Sequence, residues 1–249
     1  EDISAPRCFE VERRLRELLD IPVFHDDQHG TAIVVLAALR NALKLVKKDM
    51  SKVRIIMSGA GAAGTAIARL LVLSGATNMI AFDKDGVISK DSPSEDPMRD
   101  WFIEHSNKDN FKGSVHEALS GADIFIGVSA PNVLKEADIA SMAAGSIVFA
   151  LANPDPEIDP VIARKYAAVV ATGRSDHPNQ INNVLAFPGI FRGLLDANAH
   201  KITDKLLVAA AVAIADCVSP SQLNTSFIVP SVFDPNVVTQ VAAAVKKSV

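Results

Sequence analysis

A chain of 249 residues, 49% of them apolar, has the material for one large buried core, and its net charge of −4 lacks the basic excess that nucleic acid or an anionic membrane selects. Two cysteines, Cys8 and Cys217, lie far apart and make no disulfide framework, so a reducing, cytoplasmic setting is expected. The longest apolar run, residues 206–215, falls well short of the about 20 residues a membrane span needs and reads as a buried core helix.

In chain order, residues 9–19 have amphipathic helical spacing, with Val11, Leu15, Leu18 and Leu19 on one face and Glu12 set to pair with Arg16. Pro22 makes residues 21–24 extended. A dense polar loop, His25-Asp26-Asp27-Gln28-His29-Gly30, comes next. Thr31 then caps a long helix to about Lys48, with Leu36, Leu39, Leu43 and Val46 as its buried stripe. His25 and His29 do not read as a zinc pair, because no cysteine or third histidine is near and a loop imposes no helical spacing.

The centre of the chain is strand, glycine turn, helix. Val53, Ile55 and Ile56 suit a strand buried on both faces, and Gly59, Gly61 and Gly64 follow at G-x-G-x-x-G spacing, with Ala60, Ala62 and Ala63 between them. The glycines permit the tight turn, the approach of backbone N–H groups to a pyrophosphate, and close helix packing. The anion would rest on the helix N-terminus. A second strand, residues 79–82, ends in Asp83 about 20 residues on, where a carboxylate can take the ribose hydroxyls. That favours NAD, although Lys84 beside it could offset the repulsion of a 2′-phosphate and leaves NADP open.

Residues 84–98 read as an exposed polar excursion. A short helix (114–119) and strands at 122–128, 146–151 and 168–171 alternate with a helix opening at Asp159-Pro160. This is the pattern of a doubly wound, parallel, Rossmann-type α/β sheet with flanking helices from both chain ends. Ligands gather at the carboxyl ends of such strands, where Gly59, Ser129, Asn153 and Gly173 fall. Helices over 190–197, over 203–218 and after Asp234-Pro235 complete the chain. They are expected to pack on the first two helices, away from the cofactor sheet. The resulting division is 1–50 as a helical segment, 51–185 as the dinucleotide domain, and 186–249 as C-terminal helices packing on the same domain.

Several blocks together resemble the malic enzyme family of bacterial type: Glu1-Asp2-Ile3, IPVFHDDQHGTA (21–32), the glycine turn, Ala152-Asn153-Pro154, PNQINNVLAFPG (178–189) and Ile228-Val229-Pro230. The resemblance runs over essentially the whole chain. It implies NAD- or NADP-dependent oxidative decarboxylation of L-malate to pyruvate and CO2 with Mg²⁺ or Mn²⁺. Glu1, Asp2 and Asp27 match the metal ligands, hard oxygen donors suited to a hard cation. Asp26 matches a supporting acid beside Asp27, and the pair carries the catalytic role. Asn153 and Asn183 match substrate contacts, Asn182 a position near the nicotinamide, and Ser129 falls near the cofactor. The family also implies a homo-oligomer, a dimer or larger, with the terminal helices as contact surfaces.

The family's acid and base, a Tyr and a Lys, and its malate-clamping Arg belong upstream of the Glu-Asp pair. Tyr166 lies in another block and does not match the acid. The opening at Glu1 without a methionine reads as a piece of a longer protein, incomplete as a catalyst by itself. The alternative is a non-catalytic dinucleotide-binding or assembly module. An amino-acid-dehydrogenase-like oxidoreductase is argued against by the HDDQHGTA block.

Overall fold

The structure, a computed structural model, describes Ile3, residues 7–92, Ser94 and residues 96–249. The expected ligands Glu1 and Asp2 lie outside the described residues. Helix α1 (Arg7–Leu18) leads to a π-helical turn (Asp26–Gly30) and α2 (Thr31–Val46). Then come β1 (Arg54–Ser58), α3 (Ala62–Leu73), β2 (Asn78–Asp83), β3 (Gly86–Val87), α4 (Pro97–His105) and α5 (Val115–Leu119). The second half runs β4 (Ile124–Gly127), α6 (Glu136–Ala140), β5 (Ile147–Ala150), α7 (Pro160–Ala163) and β6 (Val169–Thr172). It closes with a 3₁₀ turn (Asn183–Leu185), α8 (Phe187–Asp196), α9 (Asp204–Asp216) and α10 (Pro235–Ser248).

The strands form one six-stranded sheet in the order β3-β2-β1-β4-β5-β6. Every neighbouring pair is parallel except β2 with β3. The chain winds outward from β1 in one direction to β2 and in the other to β4, so the ends of β1 and β4 flank the topological switch point where such sheets bind ligands. The strands are apolar on both faces because both are covered. Ile55, Ile124, Ile147 and Val169 stand in register in one layer, while Ile56, Phe125, Val148 and Val170 stand in the other.

The first layer also holds the apolar residues of α2, α3, α9 and α10. Of the terminal helices, α9 packs on α2, and α10 packs on α8 and α9. The second layer is closed by α5, α6 and α7. The 21-residue helical run 26–46 is long and apolar enough to cross a membrane by composition, yet 67% of its apolar window is buried in this core.

Asn41, fully buried in α2, fastens the tail to it. Its Nδ2 donates to the carbonyls of Ala215 and Ile228, each at 2.9 Å. Replacing Asn41 by Leu strands both carbonyls, and we expect denaturant unfolding to register a loss of about 2–4 kcal/mol. A loss below about 0.5 kcal/mol would show that water replaces the amide.

Three expectations fail locally. Thr31 caps nothing: the backbone is helical from Asp26, and the Thr31 N–H donates back to the Asp26 carbonyl, which makes the turn π-helical. The polar loop is thus a helical turn. The face of α1 carrying Val11, Leu15, Leu18 and Leu19 is exposed, and only Cys8 of that helix is buried. Finally, residues 84–98 are not merely an excursion. Gly86–Val87 adds an antiparallel edge to β2, Ile88 is fully buried, and Asp96 caps α4, whose Phe102 enters the core.

Candidate active site

The glycine turn is built by contact as well as by conformation. Gly59 has φ +105°, open to glycine at little cost, and its N–H donates to the Phe82 carbonyl at 2.8 Å. A Cβ on Gly64 would lie 1.9 Å from the Gly59 carbonyl oxygen, so only glycine lets α3 start this close to the turn. Gly61 is different. A Cβ there would meet nothing within 4 Å, and no side chain caps α3 at this position. Its open space and uncapped amides form a cradle that fits an anion.

Two cavities meet at Ser129. The larger, about 990 Å³, is lined by Gly59, Ala60, Gly61, Asp83, Lys84 and Ser129, among others. Asp83 ends β2 there. Its Oδ1 accepts the Asp85 N–H at 2.8 Å, and its Oδ2 pairs with the Arg99 guanidinium at 3.1 Å. The smaller cavity, about 460 Å³, is lined by Asp27, Ala63, Ser129, Asn153, Asn182 and Asn183, with Arg174 at its edge. Ala62 lines neither of the two; it faces a separate cavity between α1, α3 and α9.

The π-helical turn positions the acids. Asp27 is exposed and reaches the smaller cavity, while half-buried Asp26 lies behind it and accepts a hydrogen bond from Asn183 Nδ2 at 2.9 Å. The turn is also held from its far side, where His29 Nε2 lies 2.8 Å from Glu12 Oε1 and Arg16 donates to the same oxygen at 2.7 Å. Burial works to raise the Glu12 carboxyl, but His29 and Arg16 outweigh it and hold it below its ordinary value. His25, buried, shares no ligand set with His29. Among the described residues no group of three or more His, Cys, Asp or Glu is placed to hold a metal. Tyr166 lies away from both cavities, its hydroxyl donating to Glu136 at 2.9 Å.

Two side chains at the site were not singled out from the sequence. Arg99 comes from α4, which begins at the end of the polar stretch 84–98 and is not among the helices expected from the sequence. Glu157 follows the turn Asn153-Pro154-Asp155-Pro156 and reads as one more loop acid, yet it is fully buried. Its Oε1 accepts the Ser129 N–H at 2.8 Å and the Ser129 hydroxyl at 3.2 Å, and its Oε2 accepts the Ala152 N–H at 3.1 Å. Burial pushes its carboxyl above the ordinary range, against the pull of those amides.

A parallel sheet with a glycine cradle at its switch point and a carboxylate closing the second strand defines a Rossmann-type dinucleotide-binding domain. Comparison with known proteins makes the assignment narrower. The family model described as malic enzyme, NAD binding domain, matches residues 28–249, and the chain belongs to that family. It is 55% identical over 245 residues to an NAD-dependent malic enzyme of Geobacillus stearothermophilus, covering 98% of this chain and 51% of the relative. It is 43% identical to an NADP-dependent malic enzyme of Salmonella typhimurium, covering all of this chain and 35% of that one. The solved NAD-dependent malic enzyme of Thermotoga maritima superposes with a TM-score of 0.94 at 45% identity, over 100% of this chain and 66% of that chain. The chain thus spans from about a third to two-thirds of the length of these relatives.

Proposed function

We propose that this chain supplies the cofactor site, the metal site and part of the substrate site for oxidative decarboxylation of L-malate to pyruvate and CO2. The observation that carries the reading is convergence: Asp27 from the turn before α2, Asn153 from the segment after β5, and Asn182 and Asn183 from the segment after β6 line one cavity that shares Ser129 with the glycine cradle.

The cradle binds the pyrophosphate through backbone amides, and Asp83 accepts from the ribose, which favours NAD. Arg99 and Lys84 beside it soften the bias against a 2′-phosphate. Asn153 and Asn183 orient the malate carboxylates as neutral donors, and Asn182 borders the nicotinamide. The carboxylate of Asp27 suits a hard divalent cation, which it would hold together with Glu1 and Asp2. When bound, Mg²⁺ or Mn²⁺ polarises the substrate's C2 oxygen and stabilises charge that develops there. Asp26 keeps Asn183 in place through their hydrogen bond. We also assign the protein to the cytoplasm and to a homo-oligomer, with the exposed apolar face of α1 as a contact surface; sedimentation tests the latter.

The test is calorimetric titration of the chain with each dinucleotide. NAD should bind at least about tenfold more tightly than NADP, a difference of about 1.4 kcal/mol. Malate turnover is then measured in a protein of the relatives' length. Failure to bind either dinucleotide overturns the reading.

A further inference from the structure

Glu157 is a carboxylate buried where burial is costly, and among the described residues no cation pairs with it. Its acceptors are filled instead by donors from two loops, one following β4 and one following β5. The backbone beside it grips the first loop again: the Asn132 N–H donates to the Pro156 carbonyl and the Leu134 N–H to that of Glu157, each at 3.0 Å. The strand end is shaped to admit the carboxylate. A Cβ on Gly127 would lie 2.3 Å from its carboxyl carbon. The chain of donors continues to a third strand, since Ser58 Oγ donates to Ser129 Oγ at 2.9 Å and Ser129 Oγ donates to Glu157. Ser58 is the last residue of β1, directly before Gly59.

We propose that Glu157 is a positioning residue that fixes Ser129 against Ala152-Asn153, and so sets the gap between the nicotinamide end of the cofactor site and the substrate asparagine. The inference rests on the malic enzyme reading of the site. Three donors and no acceptor converge on this position, a demand an ionised carboxylate meets and an amide cannot. In Glu157→Gln the amide nitrogen must face one backbone N–H or the other, so one of the two loops is released. The effect falls at Ser129 and beyond, while the adenosine end, held by Gly61 and Asp83, is untouched.

The experiment titrates the parent chain, Glu157→Gln, Ser129→Ala and the double variant with NAD and with ADP-ribose, and follows thermal unfolding of each. The expected result is NAD binding weakened at least about fivefold in Glu157→Gln with ADP-ribose binding unchanged, and a double variant no weaker than the worse single one. Equal losses for NAD and ADP-ribose, or a lowered melting temperature with both affinities intact, would leave Glu157 a structural residue and overturn the proposal. If Glu157→Gln does not fold, Glu157→Asp decides: its carboxylate keeps the charge but is too short to reach both loops, and it must show the same NAD-selective loss. A parent chain that binds neither ligand defeats the malic enzyme reading itself, whereas a parent that binds NAD and a variant that binds it equally defeat this inference alone.

Discussion

Substituting alanine for Gly64 is expected to cost both stability and cofactor binding, whereas the same change at Gly61 costs binding only. The Gly64 methyl would have to occupy space 1.9 Å from the Gly59 carbonyl oxygen, a backbone atom that cannot swing away. The start of α3 must retreat from the turn, and the overpacking should destabilise the fold by about 1–3 kcal/mol. As the amides at the helix start move off the pyrophosphate, NAD affinity should drop by well over tenfold. At Gly61 the backbone is extended, at φ −81° and ψ −158°, a conformation alanine adopts freely, and its methyl meets no protein atom. That methyl projects into the cradle and displaces the phosphate alone. Paired thermal melts and NAD titrations separate the two cases. A Gly61→Ala chain that binds NAD as the parent does would show that the pyrophosphate lies elsewhere.

Removing the Asp27 carboxylate is the second large effect. In a protein of the relatives' length, Asp27→Ala should lower kcat/KM for malate by about 10³ or more, about 4 kcal/mol of transition-state stabilisation, while NAD binding stays within about twofold. The Mn²⁺ concentration giving half-maximal activity should rise in step. Asp26→Asn should do less, because an amide oxygen can still accept from Asn183. Undiminished metal dependence in Asp27→Ala would remove Asp27 from the ligand set.

Much of this was legible in the chain because it was written in short-range chemistry. The capping residues Ser114, Asp159, Thr203 and Asp234 each open the helix expected of them. The glycine spacing and the apolar strands located the cradle and the sheet. What the sequence hid was tertiary. The stripe on α1 has correct helical spacing, but nothing in a period says whether a face will be covered. The π-helical turn is closed by the Thr31 N–H on the Asp26 carbonyl and lies against Asn183 across the fold, and helix propensities register neither. Burial of Glu157 follows from the glycine at position 127, a residue that looked like an ordinary strand end. Arg99 reaches Asp83 from α4, which packs against α3 and sets Phe102 in the core.

The bond between Asn183 and Asp26 joins residues 157 positions apart. The glycine turn is built between β1 and α3, but the cavity lined by Asp27, Asn182 and Asn183 takes shape only once the turn before α2 meets the segment after β6. Ligands should therefore differ in what they protect. On the proposed function, a dinucleotide should shield the middle of the sheet from hydrogen exchange, while malate with its cation should hold the turn at Asp26 to the segment at Asn183 and slow their separation.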